Sequence, residues 1–457
     1  MAVYPNGSFI LTGGFEGTSK WGEEGKDDVS LSSLGKQDVY ITKFNSNGSL
    51  VWAKHAGGIG WDRSRGIAVN KDGSFIIAGE FENTITFGEG ESNEISLTPS
   101  GISDVFLAKY DIDGSLIWAK QAGGPENDDF LGGETPIQVV VDDDNSIFII
   151  GEFVDTAIFG QEEKNETSLM SEGHNDIFIA KYKSDGTIVW AKRAGSNESS
   201  PDQKDTIASI TIHEDGSAIV TGYFPDSATI GQEEDVIQMN NSKGMFLIKF
   251  NSDGKTAWTK SAIGNATGKS VEISRNNSIY AIGGFGGGVI WGENESNETT
   301  LHALGEEQED DPFDISDEID IFIGRFRADG SLSWVKRLGG IGFDIARNVN
   351  TLDDSSVLLF GRFEDIATFG NEEPNKICKG KKDFIAKYNS NGILVWAEGI
   401  GSACLGDKIS LVGNDTFYVL GVIGSTINDC TLMPQKQNEI KLTSNERVSL
   451  FVAKFTF

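Results

Sequence analysis

Basic residues and histidine are scarce in this 457-residue chain: 38 Lys and Arg stand against 69 Asp and Glu, for a formal net charge of −31, and there are four histidines. Nucleic acid is thereby excluded as a partner class, because phosphate binding requires a basic footprint. Anionic membrane surfaces are disfavoured for the same reason. No run of eighteen apolar residues occurs, so membrane insertion through a helix is not expected. Met1-Ala2-Val3-Tyr4-Pro5-Asn6-Gly7 has neither the basic nor the apolar region of a signal peptide. No window longer than about ten residues keeps a 3.6-residue period, which excludes helical solenoids. Catalytic signatures are missing too: there is no Gly-x-Ser-x-Gly elbow before a helical pattern and no glycine-rich phosphate loop. The three cysteines, Cys378, Cys404 and Cys430, fit no zinc spacing. A Cys404–Cys430 disulfide is open to them, with one thiol left over.

What is present is repetition. Six tryptophans sit in one phrase, at Trp52, Trp118, Trp190, Trp258, Trp334 and Trp396, spaced by 66, 72, 68, 76 and 62 residues. A glycine stands four residues before each (Gly48, Gly114, Gly186, Gly254, Gly330, Gly392) and closes a turn such as Asp111-Ile112-Asp113-Gly114, since Asn, Asp and Gly tolerate positive φ. Before each turn runs an alternating stretch, for instance Val105 to Tyr110, and alternation at period two marks a half-buried strand. Earlier in each unit comes an apolar run ending near Gly and an aromatic, as in Gly79-Glu80-Phe81. Each unit therefore reads as strands a, b, c and d. One such sheet cannot bury both faces, whereas sheets packed face to face share a continuous core.

The expected fold is all-β: a seven-bladed β-propeller of four-stranded antiparallel blades, in one domain over 1–457. The blades fall near 1–56, 61–122, 134–194, 204–262, 266–338, 343–399 and 405–457. Seven copies of strands a to c occur against six of strand d. Either the last blade has three strands, or residues upstream of Met1 supply the fourth.

Ser103-Asp104-Val105-Phe106-Leu107-Ala108-Lys109-Tyr110, the turn Asp113-Gly114 and then Ala122-Gly123-Gly124 resemble the bacterial SBBP repeats, a seven-bladed β-propeller repeat family. The likeness covers nearly the whole chain and implies architecture without a common reaction. The Gly-x-x-x-Trp element is similar to the tryptophan-docking motif of quinoprotein-like propellers. The adjacent cysteines of those dehydrogenases are missing here, so shared blade packing is what it implies.

Two sets of acids stand out. After strand b, an apolar or aromatic residue, a Gly and one or more acids recur: Glu23, Glu89, Glu162, Glu233, Glu293 and Glu372 lie in these segments. They read as solvated loops on the face that also carries the d–a loops, where they would focus a negative potential. The second set precedes strand a: Asp62 and Asp344 in the phrases Gly57-Gly58-Ile59-Gly60-Trp61-Asp62 and Gly339-Gly340-Ile341-Gly342-Phe343-Asp344, with looser counterparts at Asp205 and Asp407. Such an Asp braces its turn by accepting backbone N–H bonds or lines a ligand or ion site near the axis. Nine acids between Glu306 and Asp320 form an insert in the fifth b–c loop, read as disordered unless calcium orders it. His55, His174, His213 and His302 take different positions in their copies and read as surface residues.

Together these features point to a binding or scaffold propeller presenting an acidic loop face to a protein or glycan partner, with calcium the one cofactor considered. The rival is a carbohydrate-active hydrolase or lyase working at the axial mouth. Acidity and Asn-rich turns suggest an extracellular or cell-surface setting.

Overall fold

The computed structural model describes all residues except 23–24, 27, 126–134, 174, 198–203, 233–235, 241–242, 305–319, 365, 370–375, 380–381, 403–404, 425–428, 433–439, 444–447 and 457. Among the described residues there is no helix, and the chain is a seven-bladed β-propeller. The second blade is typical: strands a (Asp62–Val69), b (Phe75–Glu82), c (Ser103–Tyr110) and d (Leu116–Ala122) pair antiparallel in that order. The first blade begins with the short strand a at Ala2–Val3. The seventh has three strands, Leu405–Val412, Thr416–Gly424 and Val448–Thr456.

By internal contacts the residues form two compact units. One comprises Met1–Ala218, Phe224–Asn240 and Phe250–Ala257, and holds the first three blades entire. The other comprises Ile219–Tyr223, Asn241–Lys249 and Trp258–Phe457, and holds the last three entire. In the first unit, Ile10, Val39, Ile77, Phe81, Phe87 and Phe106 bury the seam between blades one and two. In the second, Ile282, Ile323, Val349, Phe363 and Phe384 do the same for blades five and six. Each seam withdraws a dozen or more large apolar side chains from water, and burying one such side chain stabilises by roughly 1.5–3 kcal/mol.

The Trp phrase carries two apolar residues in a row because strand d bulges there. Leu50 lies opposite Phe44 and Trp52 opposite Lys43, so Val51 is the extra residue and stands 47% exposed. Ile117 and Val395 repeat the arrangement. A bulge turns one residue out of the pleat without shifting the rest of the register.

In five of the six Trp phrases the glycine four residues before the Trp has a second purpose beyond its turn. Gly114 has φ +81°, and a Cβ there would lie 2.8 Å from the Trp52 ring of the preceding blade. Gly186, Gly254, Gly330 and Gly392 likewise receive Trp118, Trp190, Trp258 and Trp334. The indole Nε1 of the last four donates to the backbone carbonyls of Ser184, Ser252, Ala328 and Ser390 in those same turns. One residue type thus supplies the left-handed turn and the gap for the neighbouring ring.

Candidate functional site

The acidic segments after strand b are not open loops. Ile85–Phe87 and Ile95–Leu97 form a hairpin whose first strand adds to the outer edge of the preceding blade, opposite Gly57 and Gly58 of its strand d. Equivalent hairpins pair Thr156–Phe159 with Thr167–Met170 and Gly288–Trp291 with Thr299–His302. The alternation Ile85-Thr86-Phe87 and Ile95-Ser96-Leu97 is the sequence signal for them.

This corrects the expected placement of the acids. The hairpin runs antiparallel to strand d, away from the d–a loop, so its tip lies beside the first residue of the next strand d. There Glu91 Oε2 accepts the Leu116 N–H (2.9 Å) while Oε1 meets Lys54 Nζ (2.7 Å), and Lys54 also donates to the Gly114 carbonyl. Against burial, which pushes it up, Lys54 and the Leu116 amide hold the Glu91 carboxyl below its ordinary value. Glu163 joins Lys120 to the Ile188 amide, and Glu295 joins Lys260 to the Leu332 amide. The lysine of the Trp phrase is therefore one half of a clamp between adjacent blades.

Of the acids singled out by sequence, Glu89, Glu162 and Glu293 are exposed at these tips, beside the clamp residues and not in them. Glu162 also borders a cavity of about 330 Å³ that Lys120, Gln121, Gln161 and Tyr182 help to line. Glu23, Glu233 and Glu372 lie outside the described residues, as do His174, Cys404 and Glu306 to Glu318 of the acidic run. Cys430 sits in the strand Asp429–Leu432, and the Cys404–Cys430 pairing cannot be placed without its partner.

Asp62 and Asp344 are buried, at 0% and 1% exposure. Asp62 Oδ2 accepts the Gly58 N–H and Asp344 Oδ2 the Gly340 N–H, each at 2.8 Å, which closes the d–a loop four residues back. Asp205 does this for a longer loop by accepting from the Ser196 N–H and Oγ. These carboxylates brace turns from within the blade.

Sequence reading missed a second buried set at the start of strand c: Asp38, Asp104, Asp176, Asp320 and Asp383. Asp38 accepts the Leu34 N–H, Asp104 that of Ser100 and Asp176 that of Glu172, again four residues back. Their signal was the Asp that opens phrases such as Asp104-Val105-Phe106 and Asp176-Ile177-Phe178. In four blades the third residue after the Trp reaches toward this Asp: His55 to Asp38 (3.0 Å), Gln121 to Asp104, Arg193 to Asp176 (2.7 Å) and Arg337 to Asp320 (3.0 Å). His55 is thus an Asp38 partner and not a free surface histidine, and that bond raises its pKa.

The two sets meet at one glycine. A Cβ on Gly57 would lie 2.1 Å from the Asp38 carboxyl carbon, and one on Gly339 would lie within 2.4 Å of oxygens from both Asp320 and Asp344. Close approach of a carboxylate is the physical need for Gly in the Ala-Gly-Gly and Leu-Gly-Gly phrases. Burial pushes Asp62 up to about 7, with the Asp38 charge adding to it. Asp344 rises to about 7 and Asp205 to about 8, first by burial and then by Asp320 and Asp176 respectively. Among the described residues, no three His, Cys, Asp or Glu side chains converge on a metal-sized site.

A comparison with protein families gives no match. An uncharacterized WD repeat-containing protein of Acanthamoeba polyphaga mimivirus is 21% identical over 493 aligned positions, covering 90% of this chain and 34% of that protein. A regulatory protein, FlaEY, of Caulobacter vibrioides is 28% identical over 107, covering 23% of this chain and 11% of its own length. The chain therefore spans about a third or less of these relatives. Among solved structures, a protein from Lactobacillus plantarum is similar at TM-score 0.42 with 10% identity, covering 97% and all of the respective chains. The WD40 domain of Neurospora crassa Pan2 is similar at TM-score 0.38 with 10% identity, covering 85% and 88%.

Proposed function

We propose that this propeller is a non-enzymatic binding module whose outer hairpin tips engage basic side chains of a protein partner outside the cell or at its surface. We place it, by its repeat phrase, with the SBBP propellers. The observation that carries the reading is a division of labour within each tip. Glu91, Glu163 and Glu295 are consumed by the interblade clamp, while Glu89, Glu162 and Glu293 repeat beside them with carboxylates in solvent. Repetition of unneutralised charge at such tips gives a field that steers a cationic partner and weakens with salt. The buried state of Asp62 and Asp344 speaks against the rival use of those two as surface catalytic acids.

The test is the triple variant Glu89→Gln, Glu162→Gln, Glu293→Gln, compared with wild type for capture of partners from the native organism's surface and secreted fraction. The reading expects a salt-sensitive partner retained by wild type and lost from the variant, with unfolding midpoints unchanged. Equal capture by both proteins would overturn it.

A further inference from the structure

The cavity that Glu162 borders lies wholly within the first compact unit, between strand d of the second blade and the hairpin tip of the third. Its volume of about 330 Å³ stands at the lower end of ligand pockets, roughly 300–1,000 Å³, and suits one side chain or one small molecule. The hairpin stands off the strand here. At the following hairpin the Gly231 N–H donates to the Arg193 carbonyl at 2.8 Å and closes the tip onto strand d. The corresponding Gly160 N–H and Gln121 carbonyl are not joined by a hydrogen bond, and both residues line the cavity.

The lining is rich in acceptors. Lys120 is already neutralised by Glu163, whose Oε1 meets its Nζ at 3.0 Å and whose Oε2 accepts the Ile188 N–H. Gln121 spends its Nε2 on the Thr98 carbonyl and Asp104, which leaves its Oε1. Glu162 is exposed, and among the described residues no cation meets its carboxylate. Tyr182 is 2% exposed, and its hydroxyl has no hydrogen-bond partner among the described residues. Burial pushes that hydroxyl's pKa up, so it stays neutral. A buried hydroxyl left unpaired is costly and marks the place of an absent partner. Glu162 carries a cost of its own. It holds φ +64° at the position where the tips of the second and fifth blades place Gly90 (φ +76°) and Asn294 (φ +63°). Left-handed backbone favours Gly and Asn, and strain of this kind gathers at binding sites.

We propose that this cavity is a guanidinium subsite that takes one arginine side chain, its head on Glu162 and its methylene stem along the half-buried Leu97. The Glu162 carboxylate, the Gln121 amide oxygen and the Tyr182 hydroxyl are acceptors, and a guanidinium is a planar fork of five donors. Its apolar stem is at home on a leucine. An anion is repelled by Glu162, and a lysine ammonium is a compact point charge that does not span the three acceptors. A partner protein is the expected source of the arginine, which rests on the partner-facing reading of the tips, and free arginine is the other source.

The experiment titrates the full chain by calorimetry with N-acetyl-arginine amide, in about 0.15 M salt to screen long-range attraction. The same derivatives of lysine and of citrulline, the neutral isostere of arginine, are titrated beside it, as is free arginine. Expected is saturable one-to-one binding, at least tenfold weaker for citrulline, for lysine and for the Glu162→Gln variant. Tyr182→Phe should weaken binding severalfold while its unfolding midpoint stays at or above that of wild type, because it removes an unsatisfied hydroxyl. Absence of binding overturns the proposal. So does binding that citrulline or Glu162→Gln matches, and so does equal binding of lysine, which is attraction to net charge alone. Blocked arginine bound at least as tightly as free arginine assigns a chain-borne side chain. Free arginine bound tenfold more tightly keeps the subsite and overturns the partner as its source. The tip reading fails separately, by equal partner capture with the triple variant, whatever the titration gives.

Discussion

Asp62→Asn should make the protein more stable at pH 8 and leave it nearly unchanged at pH 4. Burial raises the Asp62 carboxyl from its ordinary 3.8 to about 7. Between those values the folded state holds a proton that the unfolded state has released, so this group's stabilisation is whole below pH 4 and fades as pH rises through 7. At 1.36 kcal/mol per pKa unit, the ceiling on the cost of ionised Asp62 at pH 8 is about 4 kcal/mol. Because the Gly58 N–H offsets part of that burial for the charged form, one substitution should recover about 1–3 kcal/mol. Asparagine suits the place. Its carbonyl keeps the Gly58 N–H without bringing a charge into the blade. Urea unfolding of wild type and variant at pH 4, 6 and 8, followed by tryptophan fluorescence, measures the difference directly. A variant less stable than wild type at pH 8, or a difference that does not change with pH, would refute the assignment of that shift to burial.

Two further outcomes follow from the packing. Gly114→Ala should destabilise by about 2–4 kcal/mol, because it adds a clash with Trp52 to the strain of φ +81°. Gly48→Ala, with a similar φ and no neighbour within 4 Å among the described residues, should cost about 1 kcal/mol, and thermal melts of the two variants would separate the contributions. Arg193→Met should cost about 3–5 kcal/mol in denaturant melts, since it leaves Asp176 buried without the guanidinium that bonds it at 2.7 Å.

The blade pattern was legible because strands a to d obey period two and the turn after strand c always needs a positive-φ glycine. The bulge at Val51 left that pattern readable, since Leu50 and Trp52 still point inward on either side of it. The outer hairpins were harder to see. Ile85-Thr86-Phe87 is three residues long, and an exposed Glu89 next to a clamped Glu91 looks the same in one sequence. The distinction rests on Lys54 and the Leu116 amide, which lie 37 and 25 residues away. The second Asp set was missed for a related reason. Asp38 reads as the polar start of an alternating strand, and only the approach of Gly57, 19 residues on, shows that it is inside.

The bond that ties strand c to the loop before it spans four residues in the first three blades. In the fifth it spans sixteen, from the Leu304 N–H to Asp320 at 2.8 Å. The same staple thus fastens the rim of the blade whatever length of chain is threaded between its ends. Lengthening a loop whose ends are already pinned costs little, since closure entropy grows only with the logarithm of length. The b–c loop of each of these four blades is therefore a cassette position, where evolution or an engineer can graft a foreign peptide onto one blade while the rest of the blade keeps its register.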